Sequence, residues 1–319
     1  MPLLLQFPLW MISAMLLPLG LVLGSFGNVL IHRLPQEAPE DRDVVKKGSH
    51  CPSCKTPIKP WHNVPLFGWL WLRGRCAACG WRIPFRYPLV EALAGLLFAA
   101  SPWVFPVGTL VWAKGLLCGY ALIILFFTDF TEFILPDALQ LPLIAIGVLL
   151  TLPQLLAPGA SLMTHGAGGT FLRAETWHNG LQPAPLWADF RPALAWWEAL
   201  LGALLGYGLP ALLNLLYKVI RKTDGIGMGD FKMLAWLGAF WGWPAMVGIL
   251  FLSTLPMIVL GLPLALFRAA RDPERQGSLT EGLGQHMLPW GCGLALVTPV
   301  VVFFGPGLWE AYLGIAGLR

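Results

Sequence analysis

Two aspartates sit at the edges of long apolar runs. Asp129 closes Phe126-Phe127-Thr128-Asp129-Phe130-Thr131-Glu132, just ahead of Leu135-Pro136-Asp137, and Asp230 closes Gly225-Ile226-Gly227-Met228-Gly229-Asp230 before Phe231-Lys232. An ionisable group at or inside a lipid-facing segment is costly and marks function by default. Two carboxylates brought together can hydrolyse a peptide bond: one, ionised, takes a proton from water while the other, protonated, donates to the carbonyl oxygen. Mutual repulsion creates that asymmetry. Position along the helices predicts Asp230, at a helix amino terminus, as the ionised base and Asp129, at a carboxyl terminus, as the acid, although such a pair titrates jointly. The competing reading has each aspartate capping a helix or binding water at the membrane interface. Alternate glycines before Asp230 allow a close backbone approach, so a substrate strand could lie there. The run lacks GxxxxGK[ST] and places an anion where a phosphate would sit, which argues against nucleotide binding.

A second constellation is Cys51-Pro-Ser-Cys54 and Cys76-Ala-Ala-Cys79, two CxxC pairs separated by 21 residues. A two-residue gap lets both thiolates of a pair face one cation, and two such pairs make a four-thiolate zinc site. Two disulfides or a redox role compete with this reading, but the basic surroundings place the segment in the cytosol, where disulfides are uncommon. A loop of this size builds little core, so a metal staple explains how it folds. Cys118 and Cys292 stand alone in apolar runs and read as small core residues.

These groups must be positioned by membrane helices. The 319 residues are 56% hydrophobic and only 12% charged, with mean hydropathy +0.66, whereas about a quarter of an ordinary soluble domain is charged. That excludes disorder and a disulfide-stapled secreted domain. The net charge of +4 is small and confined to loops, so it speaks to orientation in a bilayer and not to nucleic acid. A hydrocarbon core of about 30 Å needs about 20 apolar residues per helix. About eight runs qualify: 8–31, 88–105, 108–128, 135–156, 194–217, 231–247, 248–267 and 287–305. The first lacks a basic leader and a small-residue cleavage site, and reads as a retained helix.

Loops 33–87, 218–232 and 268–287 carry ten, four and three Lys and Arg, whereas the long loop 157–193 carries only Arg173 and Arg191. The excess of basic residues puts the first three inside and 157–193 outside, with an external amino terminus. The expected fold is an all-α polytopic membrane bundle with a small four-cysteine metal-binding domain inserted after the first helix.

Lesser signals have plainer uses. Glu37, Glu40, Asp41 and Asp43 could steer a basic peptide or could simply be a solvated loop. Gly20, Gly24 and Gly27, like Gly202 and Gly206, are spaced for close helix packing. Trp61, Phe67, Trp69 and Trp71 anchor the cysteine loop to the interface or fill its small core. Glu91 is expected to face the bundle interior, and Lys114 and Glu198 either to do so or to snorkel. His32, His50, His62 and His286 show no metal spacing.

Taken in order along the chain, these pieces resemble the type IV prepilin leader peptidases, polytopic aspartic proteases bearing a GxGD motif. The resemblance is carried by Gly24-Ser25-Phe26-Gly27-Asn28-Val29 with His32-Arg33-Leu34-Pro35, the two CxxC pairs, Arg86-Tyr87-Pro88-Leu89-Val90-Glu91, Asp129 ahead of Leu135-Pro136-Asp137, Gly227-Met228-Gly229-Asp230-Phe231-Lys232, and Pro289-Trp290-Gly291.

It implies cleavage of a short basic leader from prepilins and pseudopilins at the cytoplasmic face of the bacterial inner membrane, with Asp129 and Asp230 as the catalytic pair. It further implies N-methylation of the new amino terminus with S-adenosylmethionine as donor; no donor pocket is visible in the sequence. The expected parts are a first transmembrane helix (1–32), a cytoplasmic zinc-knuckle-like domain (33–87) supporting methyl transfer, and a peptidase bundle (88–319). Trp290 and Cys292 stand where relatives commonly have Phe and Pro, which leaves the contact of that segment with the site open. The rival from another class is a proton-coupled transporter or channel with the aspartates as a relay, favoured by inverted repeats that this sequence does not show. A non-catalytic assembly factor docking through its cysteine loop would leave the membrane carboxylates without a purpose.

Overall fold

The computed structural model describes residues 7–36, 38, 42–44, 48–105, 107, 109–151, 196–222, 227–256, 259 and 290–315, with side chains as far as residue 304. The expected external loop 157–193, the acidic residues 37, 40 and 41, the basic residues 268–275 and His286 lie outside the described residues.

The described chain is helical: α1 (Leu9–Arg33), α2 (Phe67–Trp71), α3 (Arg86–Val104), α4 (Leu110–Glu132), α5 (Asp137–Leu149), α6 (Trp196–Arg221), α7 (Met228–Leu252) and α8 (Trp290–Ile315), with a helical turn at Thr254–Pro256. Among the described residues the extended backbone amounts to two isolated bridges, His50 with Pro57 and Arg75 with Arg82. Five helical stretches are long and apolar enough to cross a membrane, and Asp137–Leu149 and Trp290–Phe304 are shorter apolar ones. The protein is therefore a multi-pass membrane protein. One boundary differs from the sequence expectation. The helix predicted to break after residue 247 runs from Met228 to Leu252, and its bend is at Gly242, where φ of 84° and Pro244 two residues later interrupt the ladder.

The chain divides into two compact units, Met1–Thr128 and Asp129–Arg319. In the first, α1 packs on α3 through its glycines: a methyl placed on Gly20 or Gly24 would fall 2.6 Å from Ala94 O or Glu91 Cα. Gly27 faces the Tyr120 ring, and the Tyr120 hydroxyl donates to Leu23 O at 2.7 Å. In the second, Gly202 and Gly206 of α6 meet the backbone of α7 at Gly238 and Leu234 with no room for a side chain. In lipid no hydrophobic force drives helices together, so such close backbone approach and the dispersion it allows hold the bundle. The expected packing role of these glycines is met. Glu91 and Lys114 are buried, as an interior position requires.

Candidate active site and metal centre

In the first unit the four cysteines converge: one sulfur each from Cys51, Cys54, Cys76 and Cys79, all within 4.8 Å of one another. Cys51 and Cys79 sulfurs are 3.9 Å apart and those of Cys54 and Cys76 4.0 Å, about twice a disulfide bond length, and all four are free thiols.

The two knuckles are built alike. The Cys51 amide donates to Thr56 O and the Lys55 amide to Cys51 O; equivalently, Cys76 donates to Trp81 O and Gly80 to Cys76 O. The fifth residue of each takes a left-handed conformation, Lys55 at φ 59° and Gly80 at φ 73°. Each turn points both of its sulfurs to the common centre.

Electrostatics are uneven around the tetrad. Side-chain and backbone hydrogen bonds of Thr56 draw the Cys54 thiol down to about 6. The Trp81 backbone pulls Cys79 the same way, but desolvation and the hydrogen bonds of Cys54, Cys76 and Cys51 hold it up at about 11. A cluster that lacks enough positive charge for four thiolates is one that a divalent soft-ligand cation completes. The four cysteines can hold such an ion.

Around the cluster, Trp69 packs edge-on against Phe85 and donates to Ile83 O at 3.2 Å, filling the small core. Trp61, Phe67 and Trp71 are exposed.

The second unit brings Asp129 and Asp230 together. Asp129, on the last turn of α4, is buried, and its Oδ2 accepts the Cys292 amide at 2.9 Å. Asp230, on the first turn of α7, is hydrogen-bonded to the Gly227 backbone. The two carboxylates lie within Coulombic reach of each other and of Cys292.

Leu135 is the wedge between the segments: a methyl on Gly229 would stand 2.9 Å from its Cβ, and one on Gly291 2.9 Å from its Cδ1 and 2.9 Å from Asp129 Oδ2. At either place a side chain would force Leu135 or the Asp129 carboxylate to shift. Lys232 Nζ donates to both carboxylate oxygens of Asp137, at 2.6 and 2.7 Å, and ties the start of α5 to the turn that carries Asp230.

Two of these features were not read from the sequence. The Lys232–Asp137 pair joins residues that the motifs hold separately. The start of α8 enters through the amide and the thiol of Cys292, both hydrogen-bonded to Asp129, where a lone cysteine in an apolar run reads only as a small core residue. A proline at 292 would lack the N–H that reaches Asp129, and the Trp290 indole donates to Ser253 Oγ at 2.9 Å. The predicted division of roles loses its basis, because Asp129 closes one helix but faces the amino terminus of another. Both aspartates now meet the positive end of a helix.

The chain is thus a polytopic membrane protein in which two carboxylates, one buried and one half-buried, meet at helix termini, with a four-cysteine loop earlier in the chain. Residues 19–105 match the bacterial peptidase A24 N-terminal domain and residues 183–262 the type IV leader peptidase family. Prepilin leader peptidase/N-methyltransferases are similar along nearly the whole chain: that of Aeromonas salmonicida is 30% identical, covering 95% of this chain and 94% of the relative. The enzyme of Aeromonas hydrophila is 31% identical with the same coverage, and that of Pseudomonas aeruginosa 31% identical, covering 94% and 93%. No solved structure matches. The chain belongs to the type IV leader peptidase family.

Proposed function

We propose that the protein is a prepilin leader peptidase and N-methyltransferase in which Asp129 and Asp230 perform the hydrolysis. The observation that carries this is the convergence of the two aspartates beside the α8 amino terminus. One carboxylate, ionised, deprotonates a water aimed at the scissile carbonyl; the other, protonated, donates to the carbonyl oxygen as the tetrahedral intermediate forms. The Cys292 amide fixes the Asp129 carboxylate in one orientation, and the Lys232–Asp137 pair fixes the turn carrying Asp230.

The substrates are prepilins or pseudopilins, whose short basic leader is removed at the cytoplasmic face of the bacterial inner membrane. The amino terminus is external and the segment 33–87 cytoplasmic, as the positions of Lys and Arg support. That segment is a zinc-stapled module: Cys51, Cys54, Cys76 and Cys79 supply the tetrahedral thiolate set that zinc prefers, and the ion serves structure, having no open position. S-adenosylmethionine is the methyl donor. Residues 88–319 carry the peptidase chemistry.

The transporter reading is not favoured: the family and the relatives are peptidases. The test is to incubate purified protein in detergent with a leader-bearing pilin precursor. A mass loss equal to the leader, then a gain of about 14 Da for one methylene, is expected; an unchanged precursor would refute the reading.

A further inference from the structure

The first unit contains a cavity of about 750 Å³, within the range of about 300 to 1,000 Å³ typical of cofactor-sized ligands. It lies between the cytoplasmic end of α1, the start of α3 and the cysteine loop, and its lining includes Asn28, Lys55, Lys59, Trp69, Tyr87 and Glu91.

Its wall holds an orphaned acceptor. Asn28 is 4% exposed and its Nδ2 donates to Tyr87 O at 3.0 Å, while its Oδ1 is buried with no hydrogen-bond partner. A buried unpaired carbonyl costs about 1 to 3 kcal/mol, and native structures retain such groups where a ligand or water completes them.

Nearby, Glu91 Oε2 accepts the Leu66 amide at 2.8 Å. Leu66 takes φ 62° and ψ −52°, the centre of a γ-turn closed by the Phe67 amide on Pro65 O, a strained conformation that a branched apolar side chain adopts only when its surroundings enforce it, as they do at ligand clamps. The loop is thus latched to α3 through a carboxylate that also lines the cavity.

We propose that this cavity is the binding site for S-adenosylmethionine, an inference that rests on the methyl-transfer reading above. The donor has three chemical parts, and the wall offers a partner for each. Asn28 Oδ1 and the Glu91 carboxylate face its cationic groups, as hydrogen-bond acceptors for the ammonium and as negative charge density for the sulfonium. Trp69 gives a flat face for the adenine and a cation–π surface. Lys55 and Lys59 carry positive charge for the carboxylate.

The reaction served balances simply. The neutral terminal amine of the cleaved pilin attacks the methyl carbon, a C–N bond forms as the C–S bond breaks, the electron pair stays on sulfur, and the product ammonium loses a proton to water.

The experiment uses the full chain with its metal, in detergent micelles. Radiolabelled S-adenosylmethionine is photo-crosslinked and the labelled peptide mapped, and the dissociation constant is measured by calorimetry for the unaltered chain, Asn28→Leu and Glu91→Gln. Label within residues 22–91, and binding about tenfold weaker in each variant, are expected from the loss of one charge-assisted hydrogen bond. Label confined to any other part of the chain would overturn the site while leaving methyl transfer intact. Unaltered affinity in both variants would overturn it too. Absence of donor binding by the unaltered chain, with no 14 Da gain on cleaved pilin, would remove the methyl-transfer reading itself. Mapping on the unaltered chain keeps the test decisive if either variant fails to fold.

Discussion

The cysteine cluster and the aspartate pair are two ways of making a site. Each cysteine knuckle is local: a six-residue turn with its own two backbone hydrogen bonds and its own left-handed residue, repeated at Cys51 and Cys76. The aspartate site has no local unit. Asp129, Leu135, Asp230 and Gly291 come from helix ends scattered through the chain, and close packing of Gly229 and Gly291 on Leu135 is what lets them meet. The first site is written in spacing and can hold an ion; the second is written in tertiary packing. A local site fails when a ligand is lost, a packed one when a methyl group is added.

That contrast can be broken or sharpened in order of expected effect. Cys76→Ser removes one of four thiolates, and because a structural zinc site supplies about 10 to 16 kcal/mol of folding free energy, metal content by atomic emission should fall from one ion per chain to nearly none. A variant that keeps its full ion would break the idea that the four sulfurs form one centre.

In the first moments after rapid chelation, while the knuckles still hold their turns, they should differ chemically, since the thiolate is the reactive form. Cys54, held at about 6, is mostly thiolate at neutral pH, and its alkylation rate should fall as pH drops through 6. Cys79, held at about 11, should react more slowly than Cys54 at neutral pH. Equal rates by peptide mass mapping would show that Thr56 does not distinguish the knuckles.

At the packed site, Gly291→Ala places a methyl 2.9 Å from Asp129 Oδ2. The carboxylate must give by a few tenths of an ångström, a fraction of the ~1 Å misplacement that costs about a hundredfold in rate, so kcat for leader cleavage should drop by about tenfold or less with KM little changed. A rise in KM alone would show that Gly291 shapes a substrate groove and leaves Asp129 in place.

Smallest is Lys232→Met. Its Asp137 partner is 56% exposed, so screening limits the pair to about 1 kcal/mol or less. The melting temperature should fall by only a few degrees, and by less at high salt.

The same contrast explains what was legible in the sequence. Hydropathy gave the helices, since lipid forces every backbone group to bond within its own segment, and the CxxC spacing gave the metal centre, since the knuckle is its own template. The glycines at 20, 24, 202 and 206 announced helix contacts by their spacing. The bend at Gly242 was hidden inside an unbroken apolar run, where the hydropathy of both halves is alike. The α8 amino terminus was hidden for a different reason: it reaches Asp129 through the amide and thiol of Cys292, and every residue except proline has such an amide, while a single cysteine has no spacing to mark it. Reading Asp129 only by the helix it ends therefore missed the helix it faces. The family model over 183–262 takes in the Asp230 motif, but how the carboxylates meet comes from packing.

The most direct test of the central claim is the rate of leader cleavage by Asp129→Asn and Asp230→Asn, each shown by circular dichroism and metal content to be folded. Asparagine keeps the shape and removes the proton exchange, so each substitution should lower kcat by at least about a thousandfold, and the double variant should be no worse than the poorer single one. Cleavage within tenfold of the unaltered enzyme in either variant would contradict the account.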